Sequence, residues 1–195
     1  MRKRIREIAI GLKRDLVELT EHNPKWKTLA TQTIGLLWDI FGKTAKDIQH
    51  VGSTSIQWIK AKPIIDIAVA VKNLNEVEPL MPKLNDAGFF KSKLHAIEGD
   101  ILVCDDNELA DTRSYHIHIV ELGSIQWINY ISFRDYLNEN LNSAKEYERI
   151  KIISAEKHPS DRTAYTNDKE EVLIRLLHEA KIWASKTTMH DSDDS

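Results

Sequence analysis

The sequence predicts an α+β domain with α/β-like features, built from a single mixed β-sheet flanked by helices. Three observations support this prediction. Apolar residues recur at helical spacing early and late in the chain, runs rich in β-branched residues fill its middle, and no repeat or Pro/Gly-rich linker divides the 195 residues. A chain of this length can bury a core of its own. We therefore predict one domain over residues 16–185, with an N-terminal extension at 1–15 and an acidic, disordered tail at 186–195.

The composition narrows the classes of function. The formal net charge is -3 and the pI is near 6.2, which argues against a broad nucleic-acid-binding surface. A single cysteine excludes an internal disulfide and argues against a cysteine-based zinc site. The basic N-terminal segment holds too short an apolar run for a signal peptide, and no apolar run is long enough to cross a membrane. We therefore expect a cytoplasmic protein with no membrane partner.

The first elements are expected between Leu16 and Gly42. The segment LVELTEH fits either a first edge strand or the end of a helix. A helix is predicted next, because Asn23 suits its N-cap, Pro24 its first helical position and Gly42 the residue after its end. The buried face predicted for this helix consists of Trp26, Leu29, Ile34, Leu37 and Ile40.

The middle of the chain is typical of strands separated by turns. Strands are predicted at DIQHVG and PIIDIAVAV, around a turn and short helix in STSIQWIKAK. A helix follows in NLNEVEPLMPKLNDAGF, where Asn73 and Glu76 suit a capping pair and Gly88 suits the terminator. Further strands are predicted at FFKSKLHAI, ILVCD and YHIHIVEL.

The last third of the chain has a helical pattern. This pattern begins at Trp127, and Ser132 and Asp135 suit a second capping pair. The segment NDKEEVLIRLLHEAKIWASK predicts a long amphipathic helix. Helices at both ends and strands between them together give the expected α+β order.

A lone carboxylate, Asp66, lies within an apolar strand. Strand side chains alternate, so Asp66 shares one face with Ile64 and Ala68. A carboxylate in such a strand is costly to bury unless it meets a metal, a cation or several hydrogen-bond donors. Divalent-metal binding for phosphoryl transfer is the chemistry that suits it. The alternative is an aspartate at the solvated end of the strand that caps a neighbouring loop.

A Gly-Ser turn precedes this strand. Gly52 lets the backbone approach a ligand closely, and the helix start after it offers free N–H groups that favour anions. Ser53, Thr54 and Ser55 add hydroxyl donors there. Gly52, Ser53 and Thr54 are therefore candidate phosphate-binding residues, although the same pattern also fits an ordinary turn that caps a helix.

The segments HVGSTSI and AKPIIDI together resemble the motifs of the GrpB family, a group placed in the nucleotidyltransferase superfamily. The resemblance continues through HIHIVELGS, FRDYL, the spacing of Tyr147 and Lys151, DRTAYTNDK and AKIW, and extends from about Leu16 to Trp183. It implies a nucleotidyltransferase-like fold for the domain. It also implies the site of that superfamily, in which a Gly-Ser turn, an Asp-x-Asp/Glu strand and a third carboxylate hold two metals and a triphosphate. A hydroxyl then attacks the α-phosphate.

The chain matches this implied site only in part. Asp66 takes the place of the first acid, but Ala68 stands where the second acid belongs. The strand of the third acid resembles YHIHIVE, in which His116 and His118 share a face. If the face of His118 looks into the site, an imidazole replaces the third carboxylate. Asp66, His116 and His118 are then the candidate metal ligands, with Asp66 and His118 as the catalytic pair. The alternative for the two histidines is a hydrogen-bonded structural network. Mg²⁺ or Mn²⁺ is the expected cofactor, although imidazole suits Mn²⁺, Zn²⁺ or Ni²⁺ better than Mg²⁺.

Four cationic side chains are further candidates for phosphate contacts. Lys62 precedes the strand of Asp66, and Arg134 lies in FRDYL. Lys151 and Lys169 lie in the helical last third of the chain. Each has an ordinary alternative, since a lysine is often only solvated and Arg134 can pair with a neighbouring acid.

Two residues near the Gly-Ser turn have structural interpretations. Trp58 stands in QWI, where the GrpB family usually has Pro-Gly-Leu, and we expect it to fill the core rather than to stack on a base. His50 shares a strand face with Gly52 and is expected to brace the turn.

Three functions remain open at this point. The first is metal-dependent transfer of a nucleoside monophosphate from an NTP to a hydroxyl of a small molecule or protein, with the nucleotide and the acceptor as partners. The second is a binding module for a nucleotide or phosphorylated ligand, in which the missing acid at Ala68 leaves the site inactive or weakly active. The third is a phosphohydrolase-like or purely metal-binding pocket. All three require Asp66 and His118 to converge on one cavity beside Ser53.

Overall fold

The computed structural model describes residues 10–13, 16–92, 100–105 and 112–193, without the side chains of 188–193. Within these residues the strands are β1 (Leu12–Lys13), β2 (Ala45–Val51), β3 (Ile65–Val71), β4 (Phe89–Lys91), β5 (Asp100–Asp105), β6 (Thr112–Arg113) and β7 (Tyr115–Glu121). The α-helices there are α1 (Lys25–Phe41), α2 (Met81–Asp86), α3 (Ile125–Glu139), α4 (Leu141–Lys157), α5 (Arg162–Asn167) and α6 (Glu170–Asp193). The order of helices and strands is that of an α+β protein.

The main sheet has five strands in the order β2-β3-β7-β5-β4. Strands β3 and β7 are parallel, and the other neighbouring strands are antiparallel. The prediction of a mixed sheet flanked by helices is therefore confirmed. Strands β1 and β6 form a separate antiparallel pair, which the sequence pattern does not predict.

Helix α1 packs on one face of the main sheet. It begins at Lys25, so Pro24 is the N-cap residue and not the first helical residue as predicted. Asn23 Oδ1 accepts a hydrogen bond from the N–H of Lys25 at 3.0 Å. Gly42 follows its end with a φ of 51°. The core on this face also includes alternate residues of β3, from Ile65 to Val71. The predicted apolar face of α1 is buried at Trp26, Leu29 and Leu37 and partly buried at Ile34 and Ile40.

Helices α3 to α6 cover the opposite face of the sheet. The loop after β2 joins them in a second apolar cluster. Because side chains alternate along β3, Asp66 points away from the α1 side and towards these helices. The members of the second cluster are Ile56, Ile59, Phe133, Leu137, Ala144, Tyr147 and Leu176.

Prolines shorten the helix predicted after β3. Asn73 Oδ1 accepts a hydrogen bond from the N–H of Asn75 at 2.8 Å, and two 3₁₀ turns then precede α2. Pro79 lies in the second 3₁₀ turn and Pro82 in the first turn of α2, and neither offers the N–H that a continuous helix requires. Gly88 follows α2 with a φ of 92°, in agreement with its predicted role as terminator.

Helix α3 begins earlier than its sequence pattern predicts. Ser124 Oγ accepts a hydrogen bond from the N–H of Trp127 at 3.2 Å and so caps the helix. Ser132 lies inside α3, so the predicted capping pair of Ser132 and Asp135 is wrong. The spacing of that pair matches a capping box, but the backbone N–H groups there are already bonded within the helix.

The two ends of the domain differ from their predicted outlines. In the segment LVELTEH, Thr20 forms an isolated bridge with Ala61, and residues 16–19 form neither strand nor helix. Helix α6 runs to Asp193 and passes the boundary predicted at residue 185. The part of FFKSKLHAI after Ser92 lies outside the described residues. No helix in the described ranges is long and apolar enough to cross a membrane.

Candidate functional site

A cavity of about 480 Å³ lies between the main sheet and helices α3 to α6. Its volume falls within the range of small-molecule sites. The turn after β2 forms one wall, and side chains of β3 and β7 form the base. The predicted site residues that line this cavity are Gly52, Ser53, Lys62, Asp66, His116, His118, Lys151 and Lys169.

The parallel pairing of β3 with β7 brings the candidate metal ligands together. Asp66 is the ladder partner of His116, and Ala68 is the partner of His118. Asp66 Oδ1 lies 3.2 Å from His116 Nδ1 and 3.6 Å from His118 Nε2. One possible ligand atom from each of these three residues lies within 4.8 Å of the other two. We call this group the Asp66 cluster.

Gly52 allows the turn to pass directly over Asp66. Its φ of +69° is one that L side chains rarely adopt. A Cβ at this position would lie 2.8 Å from both Cβ and Cγ of Asp66 and would also meet its Oδ2. The turn is closed by Ser55 Oγ, which donates a hydrogen bond to the Gly52 carbonyl at 2.6 Å. Glycine is therefore required here both for backbone conformation and for space.

The Asp66 cluster carries opposite charges at neutral pH. Burial on its own would raise the pKa of Asp66, but hydrogen bonds and charge from His116 and His118 hold it well below its usual range. Burial on its own would lower the pKa of His118, but hydrogen bonds to Asp100 and Asp66 raise it to about 9. Asp66 is therefore a carboxylate and His118 an imidazolium.

Asp100 and Tyr130 contact the Asp66 cluster through His118, and neither is predicted from the sequence. Asp100 Oδ2 accepts hydrogen bonds from His118 Nδ1 at 2.9 Å and from the Tyr130 hydroxyl at 2.8 Å. The Asp100 side chain is only 2% exposed. Burial and the charge of Asp100 raise the pKa of Tyr130, which keeps its proton. Side chains alternate along β5, so Asp100 lies on the same face as Leu102, which is the ladder partner of His118. Nothing in the sequence shows that β5 pairs with β7, and the position of Asp100 beside His118 could therefore not be predicted.

Three lysines make the upper part of the cavity positive. The Nζ atoms of Lys62 and Lys169 lie 4.9 and 4.2 Å from the ring centre of Tyr165. Lys151 Nζ donates a hydrogen bond to a backbone carbonyl at 2.6 Å. Burial is the main cause that lowers the pKa of Lys62 and Lys169 to about 8 and that of Lys151 to about 7. Among the described residues that line the cavity, Asp66 is the only acid.

Thr54 and Arg134 lie on the other side of the turn, beside a second cavity of about 660 Å³. Thr54 Oγ1 is 3.0 Å from His50 Nε2, in agreement with the expectation that His50 braces the turn. Arg134 donates hydrogen bonds to the Asp135 carboxylate, the Gln49 side chain and the His50 carbonyl. The structure therefore does not bring Thr54 and Arg134 to the Asp66 cluster.

Trp58 is 57% exposed, so the prediction that it fills the core is wrong. Ile56 and Ile59, on either side of it, are buried in the cluster formed with α3, α4 and α6. Because these two isoleucines take the core positions, the residues between them project outward. Trp58 lines the rim of the second cavity.

The fold and the site define a class of protein: a mixed-sheet α+β domain with a carboxylate–imidazole cluster at the base of a lysine-lined cavity. A family model described as GrpB protein matches residues 16–179. The chain belongs to the GrpB family, as the resemblance of its motifs implies.

Individual members of the GrpB family match most of the length of this chain. The glutamate-rich protein GrpB of Alkalihalophilus pseudofirmus is 40% identical over 172 residues, which cover 87% of this chain and 99% of that protein. The crystal structure of the conserved protein GrpB from Enterococcus faecalis matches with a TM-score of 0.78 and 27% identity, over 85% of this chain and 99% of that chain. A crystal structure of the Cid1 poly(U) polymerase matches more weakly, with a TM-score of 0.46 and 15% identity over 69% of this chain and 46% of that chain.

Proposed function

We propose that the Asp66 cavity binds the phosphates of a nucleoside triphosphate and transfers the nucleoside monophosphate to a hydroxyl acceptor, with the help of a divalent metal. The observation that carries this proposal is the convergence of the Asp66 cluster, the Gly-Ser turn and three lysines on one cavity. The resemblance to the nucleotidyltransferase superfamily suggests the type of reaction. The acceptor is a small molecule or a protein, and the cytoplasm is the proposed location.

The Asp66 cluster fits a divalent metal. His116 Nε2 is buried and has no hydrogen-bond partner among the described residues. Metal binding would displace the extra proton of His118, whose pKa is about 9. One carboxylate and two neutral imidazoles then suit Mn²⁺ or Zn²⁺ better than Mg²⁺, which prefers oxygen ligands. Mn²⁺ is therefore the first metal to test. When bound, the metal would supply positive charge beside the phosphate oxygens.

The lysines would bind the phosphate chain. Lys62 and Lys169 lie against the Tyr165 ring, and Asp66 is the only acid among the described lining residues. Phosphate oxygens would give these ammonium groups further counter-charge. A bound phosphate raises the pKa of a nearby lysine. Because the three pKa values now lie at about 7 to 8, ligand binding would take up protons at neutral pH.

The proposed transfer breaks one phosphorus–oxygen bond and forms another. The acceptor oxygen bonds to the α-phosphorus, and the bond from that phosphorus to the bridging oxygen of the pyrophosphate breaks. The hydroxyl proton is released to solvent, and pyrophosphate leaves. The three ammonium groups would stabilise the charge that develops on the pyrophosphate.

Ala68 favours a second candidate function. It is fully buried and stands where the superfamily carries a second acid, so Asp66 would have to do alone what two carboxylates do there. We propose as the alternative a binding module that holds a nucleotide or another phosphorylated ligand without turnover. The lysines and the Gly-Ser turn are sufficient for that role.

Calorimetric titration with the four common NTPs, with and without Mn²⁺ or Mg²⁺, tests binding, and pyrophosphate release in the presence of hydroxyl acceptors tests transfer. We expect metal-dependent binding that is lost in Asp66→Asn and weakened in Lys169→Met. The matched control is Lys72→Met, which changes an exposed lysine after β3.

The outcomes separate the candidate functions. Binding without release of pyrophosphate over a broad acceptor panel supports the binding module. Release of inorganic phosphate without an acceptor supports a phosphohydrolase-like pocket instead. If no NTP binds with any of the metals, both the transferase and the nucleotide-binding module are contradicted.

A further inference from the structure

We propose that the second cavity is a separate binding site for a small planar aromatic molecule that carries an anionic group. This cavity lies between α1, β2, the loop after β2 and α3. Its lining includes neither Asp66 nor the three lysines of the first cavity. The proposal therefore stands independently of the function proposed above.

Trp58 provides an exposed stacking surface at the rim. The loop that carries it is anchored by the buried side chains of Ile56 and Ile59. It is also held by two hydrogen bonds, from the Gln57 N–H to an α3 side chain at 3.2 Å and from Lys145 Nζ to the Trp58 carbonyl at 2.6 Å. These contacts hold the backbone on which the exposed indole stands, so a ring that stacks on it has only the side-chain torsions of Trp58 to order. This arrangement favours an aromatic ligand.

The charges around the second cavity favour an anion. Lys27 and Arg134 line it, and its described lining residues include no aspartate or glutamate. Arg134 Nε forms a salt bridge with Asp135 at 2.7 Å, which fixes the orientation of the guanidinium but offsets part of its charge. Lys27 therefore supplies most of the positive charge at this cavity. Burial lowers the pKa of His50 to about 4, so this side chain is neutral and offers hydrogen bonding rather than charge.

Nuclear magnetic resonance of the indole N–H groups tests the proposal with AMP as the probe. The chain has five tryptophans, and Trp58→Phe identifies the Trp58 signal. We expect AMP to shift this signal and to leave that of Trp38 unchanged, because Trp38 is 39% exposed on α1 but does not line the cavity. Adenosine, inorganic phosphate and benzoate are titrated separately. A response to AMP alone indicates a nucleotide, and a response to both AMP and benzoate indicates any aromatic anion.

Three variants sharpen the test. Trp58→Ala is expected to weaken AMP binding about tenfold, followed through the backbone N–H of Gln57, because stacking is lost. Lys27→Met is expected to weaken binding of AMP about threefold and that of adenosine not at all. Lys169→Met, in the first cavity, is expected to leave the Trp58 response unchanged. Equal affinity for AMP and adenosine, or no Trp58 response to AMP or benzoate up to about 10 mM, overturns the proposal.

Discussion

Asp100 Oδ2 and His118 Nδ1 form a buried hydrogen bond of 2.9 Å at the base of the first cavity. The bond occupies Nδ1 and leaves Nε2 of the same ring 3.6 Å from Asp66 Oδ1. His118 therefore lies between two carboxylates. Asp100 orients the ring, and Asp66 shares the candidate metal site with it.

The first prediction concerns the charge of His118. Asp100→Asn removes the negative charge next to Nδ1, so we expect the pKa of His118 to fall by at least about one unit. Tyr130→Phe removes only a neutral donor to Asp100 and is expected to have a smaller effect. Titration of the imidazole nitrogens by NMR measures both shifts. Asp39→Asn, on the exposed side of α1, is the control. An unchanged pKa in Asp100→Asn would show that Asp66 alone sustains the imidazolium.

The second prediction is a pH dependence of stability. The pKa of His118 is about 9 in the folded state against 6.5 for the free side chain, so its contribution to stability is complete below pH 6.5 and is lost as the pH rises through about 9. The three cavity lysines act in the opposite sense. Their pKa values are lowered from 10.5 to about 7 to 8 in the folded state. Between these folded values and 10.5 the unfolded chain binds more protons than the folded one, so the contribution of the lysines to stability rises with pH.

Comparison of the wild type with His118→Gln separates these two effects, because both chains carry the lysines. Urea unfolding gives the free energy of unfolding of each chain. We expect the advantage of the wild type to shrink by about 2 kcal/mol between about pH 6 and about pH 10. A difference that stays constant over this range would contradict the raised pKa.

The third prediction concerns the turn over Asp66. Gly52→Ala places a Cβ against the Asp66 side chain at a positive φ, so we expect a loss of about 2–4 kcal/mol in the free energy of unfolding and a displaced carboxylate. Gly35→Ala is the matched control, because Gly35 lies in α1 with nothing within 4 Å of its added Cβ. That change is expected to stabilise the protein by about 0.5–1 kcal/mol. Equal effects of the two substitutions in chemical denaturation would rule out a special role for Gly52.

The fourth prediction separates binding from stability. Lys169→Met removes an ammonium group whose pKa burial lowers to about 8, while a methionine can keep the contact with the Tyr165 ring. We expect the free energy of unfolding to rise by about 1 kcal/mol. Nucleotide affinity is expected to fall about tenfold. Lys157→Met, at an exposed lysine paired with Asp168, should change either quantity little. A loss of stability would assign Lys169 a structural role instead.

The sequence could predict the part of the site that depends on local alternation. Asp66, His116 and His118 are recognisable because each is a polar residue at a fixed position in an apolar strand. Asp100 has the same local signal, but its importance depends on the pairing of β5 with β7, which no local pattern reveals.

The sequence also could not predict which cavity each side chain of the turn after β2 would face. Ser53 lines the first cavity and Thr54 the second, and the turn of 3₁₀ helix that carries both sets these directions. Trp58 is exposed because Ile56 and Ile59 take the buried positions on either side of it. The prolines after β3, by contrast, are a visible signal that the predicted helix there would be interrupted.

The parallel pairing of β3 with β7 has a consequence for the kinetics of the chain. Asp66 and His116 are neighbours in this ladder but lie 50 residues apart in the sequence. Contacts at such separation require a large loop to close and tend to form slowly. A ligand held by both residues needs the completed ladder, so it stabilises the native protein without assisting earlier steps. Its effect is therefore expected in a slower rate of unfolding, with the rate of folding unchanged.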